Sequence, residues 1–278
     1  MGGGFENTQE LKVMTYSEAI NGPDGEHWKA EVDNEYNCMV KNKVLKTVFK
    51  KDLPPGTKVI DSVWAMKKKS NGTLRGRLNA RGFKQVEGQH YNSMTISLPV
   101  TNAATIRFVL VLMVMANMMA HIVDVKGAFL HGEFEDGEKV YMTIPRGFEK
   151  HFPDGCVILL LKCLYGLKQA ARAFWRQLLR AAKNMGLARS SADPCLYYKW
   201  NDNRLVMMLS WIDDNAIVGY EKDVLDLKKE LMNQFECDDC GKMDEYVGCT
   251  IEKLKSGGIK FLQRYWYKVS MMSLTLKD

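Results

Sequence analysis

The stretch LSWIDDNAIVG, residues 209–219, sets two adjacent aspartates, Asp213 and Asp214, between two apolar runs. Residues 206–210 and 216–218 have the character of buried strands, so the chain must turn between them. The pattern predicts a hairpin with the acid pair at its tip. Asp and Asn favour turns, which makes a tip the least costly place to hold such residues. Adjacent carboxylates also repel each other and resist burial, and a divalent cation is the other physical reason to place them side by side. The hairpin by itself leaves both readings open.

With 278 residues, 46% of them hydrophobic and 26% charged, the chain can bury a sizeable core as an ordinary soluble globular protein. A formal net charge of +6 favours polyanionic partners. The seven cysteines are odd in number and scattered, which suggests a reducing, intracellular compartment rather than a disulfide framework. Cys237 and Cys240 form a lone CxxC without the further ligands a structural zinc needs. The opening MGGGFENTQE is neither basic nor apolar, so it does not read as a signal peptide, and Glu6 breaks the myristoylation pattern. The longest uncharged apolar run, residues 108–120, is too short to span a bilayer, and no membrane partner is expected.

The basic excess is concentrated in two acid-free segments. Residues 63–85 hold seven Lys or Arg, with Asn71-Gly72 in the middle as a hairpin signal. On the second arm, strand alternation would aim Arg75, Arg77, Asn79 and Arg81 to one side. Guanidinium groups crowded there repel unless an anion lies across them, and arginine grips phosphate bidentately. A solvated edge strand guarded by charge is the blander alternative. Residues 165–189 read as one amphipathic helix with an apolar stripe of Leu167, Ala171, Phe174, Leu178, Ala182 and Met185. Another face carries Lys168, Arg172, Arg176 and Arg180, four residues apart. Like charges at that spacing weaken a helix, which points to a phosphate-facing role such as nucleic-acid binding.

Elsewhere the pattern predicts a buried helix over 102–120 capped by Thr101 or Asn102, and strands at 121–125, 140–144, 157–161, 195–199 and 204–211. A supporting helix is expected over 224–235. The expected architecture is α+β, a mixed layer with helices on one face. The strand in HIVDVKGAFLHG ends in Asp124. If it neighbours the 206–218 hairpin, Asp124, Asp213 and Asp214 converge, and Mg²⁺ is the natural occupant because hard cations take oxygen ligands. Two such ions about 4 Å apart could activate a hydroxyl and stabilise a leaving pyrophosphate.

At this point the chain resembles the reverse transcriptase domain of copia-type long-terminal-repeat retrotransposon Pol polyproteins. The resemblance rests on HWKAEVDNEY, RGRLNARGFKQVEGQHY, TIRFVLVLMV, DVKGAFLHGEF, VYMTIPRGFE, LKCLYGLKQAARAFW, the WIDD stretch and KFLQRYWYKV, which occur in the family's order across most of the chain. It implies a right-hand polymerase with a ferredoxin-like palm and antiparallel sheet. Residues 1–17 would be a loop or disordered start, 18–123 fingers and first palm helix, 124–235 palm, and 236–278 the start of a thumb. Asp124, Asp213 and Asp214 would be the catalytic metal ligands for two Mg²⁺ (or Mn²⁺) ions. Arg75, Arg77 and Arg81 would steady the incoming deoxynucleoside triphosphate. Phe129 would crowd a ribose 2′-hydroxyl, Tyr165 and Gly166 would line the nucleotide pocket, and Lys168 and Arg172 would face nucleic acid or phosphate.

This implies an RNA-directed DNA polymerase acting on an RNA or DNA template-primer in the cytoplasm, including virus-like particles. The integrase and ribonuclease H segments of a Pol polyprotein are expected partners, and the chain reads as a fragment of such a polyprotein. The departures are Trp211 where the family has Tyr, Asn79 at an apolar position, Ala171 for a proline, Gly127 for a threonine, and about two extra residues over 91–99. None removes a metal ligand. A catalytically inactive relic that still binds nucleic acid is the alternative, and a template-free two-metal enzyme such as a nucleotidyl cyclase is a third. The five histidines have no ligand spacing, and Trp64, Trp175 and Trp266 read as packing residues.

Overall fold

The structure is a computed structural model that describes residues 13–68, 72–135, 137–254 and 259–262. The predicted turn residue Asn71 and most of the KFLQRYWYKV stretch, Trp266 included, lie outside them. The chain divides into two compact units. The first takes Asn7–Leu98 and Gly127–Gln177, and the second takes Pro99–Lys126 and Leu178–Asp278.

The first unit opens with strand β1 (Val13–Met14) and helix α1 (Tyr16–Ile20). Thr15 and Glu18 cap this helix reciprocally: the Thr15 N–H donates to the Glu18 carboxylate at 2.8 Å, and the Glu18 N–H donates to Thr15 Oγ1 at 3.3 Å. Helix α2 (Gly25–Lys41) buries Trp28, Val32 and Met39. Strands β2 (Leu45–Phe49), β3 (Val59–Ile60), β4 (Ser62–Lys68) and β5 (Leu74–Ala80) follow. β4 and β5 form the predicted antiparallel hairpin, with Trp64 opposite Leu78 and Lys67 opposite Arg75, and β1 extends the sheet beside β4.

The chain then passes into the second unit with helix α3 (Ala103–Met115) and strand β6 (Met119–Val125). Asn102 caps α3 by accepting from the Ala104 N–H at 2.9 Å, as the sequence suggested. The helix is shorter than expected, because Asn117 takes a left-handed backbone (φ +50°) and releases the chain into β6 two residues later.

Back in the first unit, β7 (Val140–Met142) and β8 (Cys156–Leu160) join a second sheet of order β2-β8-β7-β3, in which only β3 and β7 run parallel. Its core is built on Trp28, Met66, Leu78, Phe148 and Ile158. Helix α4 (Ala170–Asn184) begins five residues later than predicted. Tyr165–Gly166 turn beforehand, with Gly166 at φ +86° and the Ala80 N–H donating to the Tyr165 carbonyl at 2.7 Å. A Cβ on Gly166 would overlap the Ala80 carbonyl oxygen, and one on Gly82 would overlap that of Gly166, so the two backbones meet only because both residues are glycine.

The second unit finishes with β9 (Ala188–Arg189), β10 (Leu196–Asn201), β11 (Arg204–Trp211), β12 (Asp214–Gly219), helix α5 (Glu221–Gln234), β13 (Cys237–Lys242), β14 (Glu245–Tyr246), β15 (Cys249–Lys253) and β16 (Ile259–Leu262). Six strands form an antiparallel sheet of order β13-β6-β12-β11-β10-β9. Ala120, Ile122, Ala216 and Val218 share one face with Ile106, Val109 and Met113 of α3. His121, on the opposite face, meets Lys228 of α5 at 3.2 Å. Helices therefore cover both faces of this sheet, which corrects the expectation of helices on one side. The physical reason is legible in hindsight: β6 and β12 are apolar at both alternating sets of positions, and a strand buried on both faces needs cover on both.

The glycine contact at the start of α4 gives a measurable difference. Gly166→Ala should lower unfolding free energy by about 2 kcal/mol or more, because strain and overlap add. Gly155→Ala, at a similar φ of +75° with nothing within 4 Å of its Cβ, should cost only about 1 kcal/mol. Urea denaturation of the two variants checks the ranking.

Candidate active site

The hairpin of β11 and β12 is closed by the pairing of Trp211 with Asp214, which leaves Ile212 and Asp213 as a two-residue loop. Ile212 sits at φ +58°, in the left-handed region that a β-branched side chain adopts only under constraint. The Asp213 carbonyl is held twice. It accepts from the Val125 N–H at 3.0 Å and from the Asn215 side-chain amide at 2.9 Å.

Register then brings the predicted carboxylates together. Asp214 is the direct cross-strand partner of Asp124 in the β12–β6 pair. Directly opposed residues share a face and lie close, and like charges there are destabilising. Burial, then the charges of Asp213 and Asp124, push the Asp214 carboxyl up to about 6. On the other side of β6, Asp238 is also opposite Asp124, so one row reads Asp214, Asp124, Asp238. Lys126 answers this third acid with an ion pair of 2.8 Å. The neighbouring Cys237 thiol is pushed up to about 12 by burial and by Asp124 and Asp238, so it is a poor nucleophile.

Sequence reasoning missed Asp238, having read its neighbourhood only as a CxxC. The available signal was a short strand after α5, but spacing cannot say that this strand pairs with β6. Among the described residues no three His, Cys, Asp or Glu side chains stand ready as a cation cage. The donor set at the row, oxygens from mutually repelling carboxylates, has the chemistry of a hard divalent cation site.

The arginines lie in the first unit. Arg75, Arg77 and Asn79 do share the outer face of β5, while Gly76, Leu78 and Ala80 are buried behind them. Arg77 lies over the Tyr165 ring, 4.8 Å from its centre, and Phe129 meets the same ring edge-on at 4.8 Å. Three of the predicted nucleotide-site residues are thus one cluster, with Gly166 adjoining Tyr165. Arg81 is placed differently: β5 has ended, and its guanidinium pairs with Asp61 at 3.0 Å, which Lys84 also meets at 2.9 Å. Gly127, where the family carries threonine, takes φ +57° at the start of a short 3₁₀ turn (Ala128–His131) that carries Phe129.

The cationic stripe is largely engaged by its own chain. Lys168 precedes α4 and donates to the Tyr91 hydroxyl at 2.7 Å. Arg172 donates to the Ser97 carbonyl at 2.8 Å, and Arg176 pairs with Glu135 at 2.6 Å. Arg180 continues the stripe one turn further on. Acidic residues on either side of residue 136 lie against this face. Glu133, Glu135 and Glu138 line a small cleft with Gln169, Arg172 and Arg176. The sequence showed the basic helix and these acidic residues separately but gave no means of pairing them.

Residues 42–276 match the family model described as reverse transcriptase (RNA-dependent DNA polymerase). The chain belongs to the reverse transcriptase family, and its fold is α+β with largely antiparallel sheets.

Its relatives bear out the resemblance to copia-type Pol polyproteins. It is 30% identical over 267 residues to the retrovirus-related Pol polyprotein from transposon TNT 1-94 of Nicotiana tabacum, an alignment covering 94% of this chain and 20% of that protein. The Pol polyprotein from transposon RE2 of Arabidopsis thaliana is 30% identical, with 86% of this chain and 16% of the relative covered. The chain therefore spans about a fifth of the length of these relatives. Among solved structures, a foamy viral protease-reverse transcriptase in complex with double-stranded DNA aligns with 87% of this chain and 36% of its own, at 11% identity and a TM-score of 0.44. No helix among the described residues is long and apolar enough to cross a membrane.

The raised Asp214 carboxyl makes a signed prediction. Its ordinary value is 3.8 and the folded value about 6, so the folded protein takes up this proton first as pH falls. The stability it contributes is fully present below about pH 4 and is lost as pH rises through 6. In divalent-free buffer Asp214→Asn should therefore melt higher than wild type at pH 7.5, with the gap closing towards pH 4. Paired thermal melts across that range measure it.

Proposed function

We propose that this chain is an RNA-directed DNA polymerase that joins deoxynucleoside triphosphates to a primer 3′-hydroxyl on an RNA or DNA template. The observation that carries the reading is the register placing Asp214 opposite Asp124, with Asp213 on the adjoining two-residue tip. Family membership supports it, because the blocks holding these aspartates fall inside the matched residues. Asp124, Asp213 and Asp214 would hold two Mg²⁺ ions. When bound, these supply Lewis-acid activation of the hydroxyl and charge neutralisation at the leaving pyrophosphate. The second unit would serve as palm, with residues from 236 onward leading into a thumb, and the β4–β5 hairpin would belong to the fingers.

The chain's own residues would do the rest. Arg75 and Arg77 present guanidinium groups on one strand face, suited to bidentate contact with a triphosphate. Tyr165 meets both Arg77 and Phe129, so the cation and the aromatic edge form one packed cluster. Phe129 would exclude a ribose 2′-hydroxyl by bulk. Arg81, held by Asp61, would act on phosphate only after leaving that pair. Lys168, Arg172, Arg176 and Arg180 would contribute positive potential to template-primer binding, with salt sensitivity set by how many of them are free to meet phosphate. Assembly with integrase and ribonuclease H segments, intracellular residence and a role in transposition follow from the same reading.

The test is primer extension on poly-riboadenylate with an oligodeoxythymidine primer, Mg²⁺ and labelled dTTP. The control carries Asp213→Asn and Asp214→Asn together. Incorporation by wild type and a loss of at least a thousandfold in the control is expected, as for removal of essential charge at a transition state. A folded wild-type protein that binds primer-template without incorporating would sink the reading and leave nucleic-acid binding alone.

A further inference from the structure

Asn215 follows the aspartate pair on β12 and is fully buried, with an exposure of 0%. Strand interiors are depleted in asparagine, and this one faces away from Asp214, on the side covered by α5. Its cross-strand partners are Ser210 on β11 and Val123 on β6. Its amide nitrogen donates to the Asp213 carbonyl at 2.9 Å, while its amide oxygen is buried with no hydrogen-bond partner among the described residues. The orientation is not interchangeable. Turning the amide over would set two carbonyl oxygens against each other at the same place.

A buried acceptor left unmatched destabilises the fold, so the donor end must have a use. We infer that Asn215 is a positioning residue: its amide pins the Asp213 peptide and thereby holds the strained Ile212–Asp213 tip against β6. The Asp213 carbonyl is a junction. The Val125 N–H reaches it from the strand that carries Asp124, one residue beyond that acid, and Asn215 reaches it from behind. Both hydrogen bonds converge on one oxygen, so the spacing between the Asp124 strand and the Asp213–Asp214 tip depends on that oxygen staying in place. Ile212 favours release, because its left-handed backbone relaxes if the tip rolls. The side-chain bond opposes this roll alongside the Val125 N–H, from the side of the tip away from β6. The inference rests on the reading of Asp213 and Asp214 as cation ligands only for its functional consequence; the mechanical part stands apart from it.

The test compares wild type with Asn215→Leu, which keeps the γ-branched shape but loses the donor and the acceptor. Asn215→Val serves if leucine is not accommodated. Three quantities are read: hydrogen exchange of the Val125 amide in metal-free protein, affinity for Mn²⁺ alone by electron paramagnetic resonance, and the melting midpoint. The expected result is Val125 exchange about tenfold faster and Mn²⁺ affinity about tenfold weaker, the scale of one lost hydrogen bond. The midpoint should be unchanged or higher, since the unmatched acceptor is gone. A residue that merely fills space would lower the midpoint and leave the other two alone. Unchanged exchange and unchanged Mn²⁺ affinity in both variants overturn the inference. Primer extension by the same proteins separates the two readings. An inactive wild type with faster Val125 exchange in the variant keeps the positioning role and loses the polymerase. An active wild type matched by the variant in every readout does the reverse.

Discussion

The pairing of β12 with β6 is the constraint on which the site depends. Because side chains alternate along a strand, a slip of one residue would move every apolar group to the opposite face and part Asp214 from Asp124. Both faces resist that slip. Ala216 and Val218 lie with Ile122 and Ala120 beneath α3, while Ile217 lies opposite His121 on the side of α5. The apolar positions set the register, and the carboxylates are carried into opposition by it. Their repulsion is a consequence that the sheet can tolerate, since one raised carboxyl is small beside the burial of two packed faces.

Much of this is legible in the sequence. Alternation and turn chemistry located the 209–219 hairpin, the strand ending in Asp124 and the arginine arm of β5, because all three are local patterns. What was not legible depends on which strands become neighbours. Asp238 joins the row only because β13 pairs with the free side of β6, with a shift in register between Asp239 and Gly241 that no spacing rule anticipates. The sequence pattern starts helix α4 too early because Leu167 continues its apolar stripe, and only the close approach of Gly166 to Ala80 shows that a turn must come first. The position of helices on both faces was hidden for a related reason: continuous apolar runs state that a strand is buried but not by what.

The cationic stripe shows how charge patterns mislead when read one element at a time. Three like-charge pairs at i,i+4 looked too costly for a merely solvated face, and an external polyanion was the obvious remedy. The chain supplies part of the remedy itself. Glu135 meets Arg176, a backbone carbonyl meets Arg172, and the Tyr91 ring and hydroxyl meet Lys168. Arg176 and Glu135 are both about one-third exposed, so their pair is partly screened and weakly held. A phosphate competing for Arg176 would have only a modest interaction to displace. Under the proposed function, intramolecular neutralisation and nucleic-acid binding would be successive uses of the same guanidinium group, and the pair with Glu135 would set how much affinity remains for the second.

A similar economy governs the aspartate tip. Ile212 in a left-handed conformation, a carboxylate pushed towards neutrality and an unmatched amide oxygen each destabilise the folded state, and all three fall within four residues. Strain of this kind collects at functional sites, and a site that presented charge to a cation would concentrate it. They are tolerated because the hydrogen bonds at the Asp213 carbonyl and the packed strands behind it over-determine the local geometry. A cation arriving at the row would relieve the repulsion without any rearrangement of that scaffold. The binding free energy would then go into the site rather than into building it, which is the advantage of holding the carboxylates in opposition beforehand.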